Sequence, residues 1–263
     1  MVTESPVILE GRNLRKEFGG LIAVEDVSIR VQRGTTHAII GPNGAGKTTL
    51  FNLIGGRYRP TAGTVIFNGR DVTHLPVYRR VHVGMGRSFQ ITNLFPTLTV
   101  MENVRLAAQA RGADNLRFLR RADSFTIYMS GAREVLGLVG LGDALNVPAN
   151  ALPHGGKRKL ELAILLAADP DLLLLDEPTA GMASESVPEL LHIIDTVRRE
   201  SNKTILLVEH NMQVVMNLAD TITVMAAGRI LAEGTPAEIA ANKTVQEVYL
   251  GTLYDAPSAP EAG

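Results

Sequence analysis

The spacing of apolar positions changes character along this chain, and each change marks an element. From Ile8 to Val31 the residues read as strands with a turn at Gly19-Gly20, and Gly63 to Asn68 predicts another strand, so a small β layer lies near the start. His37-Ala38-Ile39-Ile40 is a short apolar strand, and Thr48-Thr49-Leu50-Phe51-Asn52-Leu53-Ile54 continues at helical period. Between about Leu98 and Leu152 the pattern is helical and less apolar, with Met101 to Arg111, a loop-like stretch and Ala132 to Val139, which predicts an inserted helical lobe. Beyond it come a helix from about Gly156 to Ala168, a strand Leu172 to Leu175, a helix Val187 to Glu200, a strand Thr204 to Val208 and short elements to Gly234. Strands alternating with helices predict an α/β fold built on a parallel sheet. The stretch Ala256 to Gly263 has nothing to bury and is expected to be disordered, and no internal repeat is evident.

The segment between the first apolar strand and its helix carries the strongest chemical signal: Gly41-Pro42-Asn43-Gly44-Ala45-Gly46-Lys47-Thr48-Thr49. Glycines let successive backbone N–H groups turn toward one anion, and the helix N-terminus adds its positive end. Lys47 neutralises the outer phosphates of a nucleotide, and the Thr48 hydroxyl is placed to ligate Mg²⁺.

Composition narrows the classes. At 263 residues with 45% hydrophobic positions the chain buries a sizeable core, as one large domain or a core with an inserted lobe. A formal net charge of −1 gives no electrostatic footprint for nucleic acid or an anionic membrane. The absence of cysteine excludes disulfides, thiolate metal sites and cysteine nucleophiles, and suits a reducing cytosol. The first residues lack the basic and apolar parts of a signal peptide, and runs such as Leu172 to Leu175 are too short to cross a bilayer, so a membrane would be served from its side.

Further chemistry follows the later strands. Leu172-Leu173-Leu174-Leu175-Asp176-Glu177 is an apolar strand ending in two carboxylates, a pair that either meets solvent or completes a nucleotide site. Beside a phosphate loop the second alternative is preferred: Asp176 holds Mg²⁺ directly or through water, and Glu177, pointing differently, polarises the attacking water. Thr204 to His210 repeats the design, ending a strand in a histidine that is either structural or a hydrogen-bond partner of the γ-phosphate. Gln90 sits where the core gives way to the helical lobe, either as a polar loop residue or as an amide that meets Mg²⁺ or water when the lobe is correctly placed. Phe18 is read either as a stacking platform for adenine or as a core residue at the Gly19-Gly20 turn.

Taken in order, Phe18, the phosphate loop, Gln90, Leu152-Pro153-His154-Gly155-Gly156, Asp176-Glu177 and His210 resemble the ATP-binding subunits of ABC transporters over nearly the whole chain. The resemblance implies a P-loop NTPase with a parallel-sheet core, an antiparallel β subdomain and an inserted helical subdomain at about 91–156, within a domain spanning 6–252, followed by a tail at 253–263. It implies ATP and Mg²⁺, catalytic roles for Glu177, His210 and Gln90, and metal contacts from Thr48, Gln90 and Asp176. It also implies a head-to-tail dimer in which Leu152, Pro153, His154, Gly155 and Gly156 form the signature that closes the partner's nucleotide site. Within the family the chain looks most like subunits serving uptake of branched-chain and other hydrophobic amino acids. The segments that carry this are Lys16 to Val24, Thr49 to Ile54, Arg87 to Gln90 with Leu98 to Val104, and Val248-Tyr249-Leu250-Gly251. Urea and short-amide uptake subunits share most of these features, and His154-Gly155 with Ala180-Gly181-Met182 is similar to theirs. The partners so implied are a second ATPase subunit, two membrane permeases and, indirectly, a substrate-binding protein, with this chain on the cytoplasmic face of the membrane.

Two positions depart from the family pattern. Pro153 stands where the signature serine is usual and offers neither hydroxyl nor N–H, while the backbone amides around Gly155 and Gly156 are kept. Ala183, in Thr179-Ala180-Gly181-Met182-Ala183, replaces the usual aspartate of the D-loop. Lys157, Arg158 and Lys159 either support phosphate binding or form a solvated face, since a helix N-terminus disfavours cations. These departures suggest a heterodimer with unequal sites, with a homodimer as the alternative. The competing classes are a soluble ABC ATPase acting on nucleic acid, a nucleotide kinase or GTPase, and the ATPase of a lipid exporter. Missing coiled-coil insertions count against the first, and Glu177, His210 and Gly155-Gly156 against the second. The third stays open because such a subunit barely touches cargo.

Overall fold

The computed structural model describes residues 6–88, 94–111 and 126–254. Strands β1 (Val7–Phe18) and β2 (Leu21–Gln32) form an antiparallel hairpin whose tip pairs Phe18 with Leu21 across Gly19 and Gly20. Strand β3 (Thr36–Ile40) leads through the glycine-rich loop into α1 (Lys47–Ile54). Then follow β4 (Ala62–Phe67), β5 (Arg70–Asp71), the short helix α2 (Val77–Arg80) and β6 (Met85–Arg87). Helices α3 (Val100–Arg111), α4 (Thr126–Leu138) and α5 (His154–Ala167) come next. The chain closes with β7 (Leu172–Asp176), α6 (Val187–Glu200), β8 (Thr204–Val208), α7 (Met212–Leu218), β9 (Thr221–Ala226), β10 (Arg229–Gly234), α8 (Pro236–Ala241) and α9 (Lys243–Tyr254).

Two sheets organise these elements. One is antiparallel, in the order β2-β1-β4-β5, and the other runs β10-β9-β3-β8-β7-β6. In the second, β9, β3, β8, β7 and β6 are parallel neighbours, and β10 pairs antiparallel with β9 at the edge. Its central strands are buried on both faces, which is why they read as continuous apolar runs rather than alternating ones. Their side chains still divide by the two-residue period of a strand. Ala38, Ile40, Leu173, Leu175, Ile205 and Leu207 join the core shared with α3, α4, α5 and α6. Ile39, Leu172, Leu174, Leu206 and Val208 join the core shared with α1 and the antiparallel sheet. Phe51 of α1 and Phe67 of β4 fill that second core, each of them buried. Full burial of side chains of this size stabilises by roughly 1.5–3 kcal/mol apiece.

Several expectations shift in detail. Helix α5 begins at His154 rather than at about Gly156, and Pro153, at φ −62° and ψ 166°, takes the extended conformation of the N-cap. Strand β6 has no periodic signature of its own in Met85-Gly86-Arg87, and parallel pairing with β7 creates it. The last helices lie beyond the predicted elements, although Thr235 and Glu238 close a capping box with Pro236 in the first turn of α8. Helix α9 carries regular structure to Tyr254, past residue 252, while residues 255–263, including the Ala256 to Gly263 stretch, lie outside the described residues.

Candidate functional site

The parallel strands deliver their C-terminal ends to one edge of the sheet, the usual place for a ligand in such folds. At that edge β3 gives way to the glycine-rich loop. Gly41 sits at φ 149°, and a Cβ there would lie 2.2 Å from the Met225 carbonyl oxygen. Gly46, at φ 97°, is the N-cap of α1, and a Cβ there would lie 2.4 Å from the Ala23 carbonyl oxygen. Both positions therefore need glycine for conformation and for close backbone approach. The loop is tied to its surroundings by Ala45 N–H donating to Pro42 O at 3.2 Å and by Gly228 N–H donating to Ala45 O at 3.0 Å. Asn43 and Gly44 at the tip are exposed, and nothing comes within 4 Å of a Cβ built on Gly44. No side chain caps the start of α1 and its first turn holds no acidic residue, so its leading N–H groups are left for an anion to satisfy.

Lys47 folds back along this loop, its Nζ donating to Gly41 O at 2.7 Å and Pro42 O at 2.8 Å. Burial lowers its pKa from the ordinary lysine value, and the Glu177 carboxylate pulls the other way. The first residue of α1 thus feels the charge of the carboxylate that follows β7.

Asp176 ends β7 in a buried position, and its N–H donates to Ser88 Oγ at 3.1 Å. Burial pushes its carboxyl up, with the Arg87 guanidinium 3.9 Å away opposing this first among the charges. Arg87 also donates to Asn52 Oδ1 at 2.6 Å and lies 4.8 Å from the centre of the Phe51 ring, so it ties the phosphate-loop helix to the end of β7. Glu177 turns away from Asp176 because its backbone is left-handed, at φ 45°, a conformation that costs a non-glycine residue on the order of 1 kcal/mol. Its N–H is held by Val208 O at 2.9 Å, and its own carbonyl accepts from Ala180 N–H and from Arg158 of α5 at 3.3 Å. His210, exposed just beyond β8, brings Nδ1 to 3.7 Å from Glu177 Oε1. The structure thus brings Lys47, Asp176, Glu177 and His210 to one edge. Gln90 lies outside the described residues, but Arg87 and Ser88, just before it, are both anchored at Asp176.

A divalent ion fits this donor set. The Thr48 hydroxyl, exposed at the helix start, and the Asp176 carboxylate are hard oxygen donors. Among the described residues no group of three or more His, Cys, Asp or Glu forms a closed cage. Few protein oxygens, completed by water and phosphate, are what Mg²⁺ prefers.

The signature segment lies at the start of α5. Leu152 is buried, Pro153 and His154 are exposed, and no side chain caps the helix. Neither Gly155 nor Gly156 has a positive φ, and a Cβ on either would make only ordinary contacts of 3.4 Å or more. The His154 ring lies 3.6 Å from a Cβ built on Gly181, so the signature and the 179–183 segment adjoin. The three cations that follow are partly committed elsewhere: Arg158 pairs with Glu161 at 2.7 Å, and Lys159 pairs with Glu189. Phe18 stands apart at the hairpin tip, 41% exposed, with its ring edge-on to Tyr58 at 5.3 Å and Lys16 Nζ 5.0 Å from its centre. It is a surface aromatic and not a core residue at the turn.

The sequence alone assigns no role to Arg87, Ser88 or Glu209 and reads Arg158 as a phosphate contact or a solvated residue, whereas all four hold the site together, Arg158 through Glu177 O and Glu161. Glu209 had a readable signal, as a carboxylate abutting a fully apolar strand, and it is completely buried. An apolar cavity of about 310 Å³ lies between the core and the helices, lined by residues that include Val77, Met85, Leu94, Ala107, Ile164 and Leu165.

Comparison with known proteins agrees with this arrangement. The model of the family described as ABC transporter matches residues 24–180, and that of the branched-chain amino acid ATP-binding cassette transporter matches residues 229–255. The chain is 39% identical over 254 residues to the high-affinity branched-chain amino acid transport ATP-binding protein LivG of Salmonella typhimurium, covering 94% of this chain and 99% of that one. It is 35% identical over 243 residues to the lipopolysaccharide export system ATP-binding protein LptB of Escherichia coli, covering 92% of this chain and 97% of that one. Among solved structures, the ADP conformation of MJ1267, an ATP-binding cassette of an ABC transporter, superposes with a TM-score of 0.82 at 29% identity, covering 94% of this chain and all of that one. With a family match over more than half of the sequence and relatives aligned nearly end to end, the chain belongs to the ABC transporter family, among its ATP-binding cassettes.

Proposed function

We propose that this chain is the ATP-hydrolysing subunit of an importer for branched-chain or other hydrophobic amino acids, working at the cytoplasmic face of the membrane. The observation that carries the proposal is the likeness to LivG across 94% of the chain, and the match of residues 229–255 to the branched-chain cassette model reinforces it. LptB, at 35% identity, keeps lipid export as the second reading, at a lower level of likeness. No helix among the described residues is long and apolar enough to cross a membrane, and we assign the crossing to separate permease subunits.

The geometry of the described residues supports the following roles, and Gln90 takes its role from the family resemblance alone. The loop from Gly41 to Thr49 cradles the phosphates, with Lys47 moving its ammonium from the loop carbonyls to the outer phosphate oxygens. Thr48 and Asp176, with Gln90 assigned by the resemblance, would hold Mg²⁺, which would supply charge neutralisation to the phosphates. Glu177 orients and deprotonates the attacking water, and His210, 3.7 Å from it, holds the γ-phosphate end. Phe18 offers its exposed ring to the adenine. Glycine is not demanded at 155 or 156 by the chain's own packing, which supports a signature face kept small for the partner's nucleotide. Pro153 and Ala183 remove two polar contacts from that face, so the partner is a different ATPase subunit and the two sites are unequal. The apolar cavity beside Leu94, flanked by the exposed Phe95, is the surface offered to a permease.

The test is ATP hydrolysis by the purified full chain, alone and mixed with candidate partner ATPases, together with leucine uptake by cells lacking this chain. Low hydrolysis alone, stimulation by one partner and loss of leucine uptake are expected. Full activity alone, unaffected by any partner, overturns the heterodimer, and normal leucine uptake overturns the cargo.

A further inference from the structure

Glu209 is completely buried, yet it carries a charged group at the end of an apolar strand. Four hydrogen bonds are donated to it. Oε1 accepts from Thr179 N–H at 3.1 Å and from the Thr179 hydroxyl at 2.6 Å. Oε2 accepts from His210 N–H at 3.1 Å and from Asn211 N–H at 3.3 Å. The carboxylate therefore acts purely as an acceptor, with its two oxygens facing two different chain segments.

Those two segments are the ones that carry the reacting groups. Thr179 is in the turn that Ala180 N–H closes on Glu177 O at 3.1 Å, and the same Glu177 is tied to β8 by its N–H on Val208 O. On the other side, His210 is the residue whose ring approaches Glu177, and Asn211 caps α7 by accepting from the N–H groups of Gln213 and Val214. Glu209 thus joins the turn below Glu177 to the backbone of His210 and to the start of a helix. A buried carboxylate with every acceptor site used is rigid, since losing a partner leaves it unpaired inside the protein.

We propose that Glu209 is a positioning residue for ATP hydrolysis, fixing the Glu177 turn against His210 so that base and γ-phosphate contact stay in register. The inference rests on the hydrolytic function proposed above. Because the group touches neither the phosphate loop nor the nucleotide cradle, it acts on turnover and leaves binding alone. Thr179 also opens the 179–183 segment beside the signature, so Glu209 holds the root of that segment too.

The test uses the full chain with the partner ATPase that stimulates it, and measures kcat, KM for ATP and binding of a non-hydrolysable ATP analogue. Glu209→Gln replaces one acceptor oxygen by an NH₂ that faces N–H or O–H donors, and it is expected to lower kcat about tenfold or more with KM and analogue affinity within about twofold. Thr179→Val removes only the hydroxyl donor and is expected to lower kcat by several-fold, whereas Thr179→Ser, which keeps the donor, returns it to the parent value. This last pair decides the matter even where Glu209→Gln fails to fold. Parent-like kcat in Glu209→Gln or Thr179→Val, or loss of analogue affinity in step with kcat, overturns the proposal. If the parent itself binds and hydrolyses no ATP with any partner, the hydrolytic function fails first and takes this assignment with it; a normal parent with unaffected variants removes only the role of Glu209.

Discussion

His37, at the second position of β3, offers a quantitative prediction. It is 1% exposed, and burial lowers its pKa from the ordinary 6.5 to about 4. Thr223 Oγ1 gives its proton to Glu233 Oε2 at 2.7 Å, so the His37 Nε2 contact to Thr223 Oγ1, also 2.7 Å, requires Nε2–H on the neutral ring. Glu233 is the nearby carboxylate, 4.0 Å from Nε2, but it is already engaged by that hydroxyl. The unfolded chain takes up a proton at His37 below its ordinary pKa, while the folded chain resists until about pH 4. Stability is therefore full above about pH 6.5, declines as pH falls below it and levels off near the folded value. The gap corresponds to a ceiling of roughly 3 kcal/mol, of which about 2 kcal/mol is already lost at about pH 5. The assay is urea unfolding followed by circular dichroism at about pH 7.5 and about pH 5 for the parent and for His37→Gln, whose amide still donates to Thr223 and does not titrate. The parent is expected to lose about 2 kcal/mol more than the variant across that interval, because titrations common to both cancel. Parallel losses in the two proteins would refute the reasoning.

Other outcomes follow from the nucleotide edge. Lys47→Ala removes the only lysine on the phosphate loop and its two bonds to the loop carbonyls, so nucleotide affinity measured by titration calorimetry is expected to fall roughly 10- to 100-fold, the scale of a charged hydrogen bond. Glu177→Gln keeps the turn and the backbone contacts and is expected to bind ATP normally while kcat drops by about 100-fold or more, with parent-rate hydrolysis excluding Glu177 as the base. Gly46→Ala forces a Cβ to 2.4 Å from Ala23 O at a left-handed position, so a lower melting temperature and loss of nucleotide binding are expected together by scanning calorimetry.

The elements most readable in the sequence were those whose signal is local. The helix Val187 to Glu200 and the strand Thr204 to Val208 have the limits that their periodicity predicts, because each buries a continuous apolar face. The phosphate loop was readable because glycine is required by backbone geometry that no other residue meets at Gly41 and Gly46. Elements that exist only through a neighbour were not: β6 is three residues long and owes its form to β7. The supports of the site were hidden for the same reason. Arg87 becomes meaningful only when Asn52 and Asp176 come within reach, from about 35 and about 90 residues away along the chain, and Glu209 only when Thr179 arrives from the neighbouring strand end. Spacing along a sequence carries no record of such pairings.

The strand order has a bearing on how the molecule is made. Among the described residues β3 pairs only with β8 and β9, with Thr36 opposite Ile205 and Ile40 opposite Val224. At ribosomal speeds of about 5–20 residues per second, the ribbon that bears the triphosphate grip waits roughly ten to thirty seconds for either flank to emerge. Throughout that interval Ala38, Ile39 and Ile40 offer a greasy, unladdered edge to whatever is near, the type of exposure that invites nascent-chain clumping. A truncated polypeptide ending before residue 204 would leave that ribbon permanently orphaned, so the grip has no smaller autonomous form than nearly the full cassette.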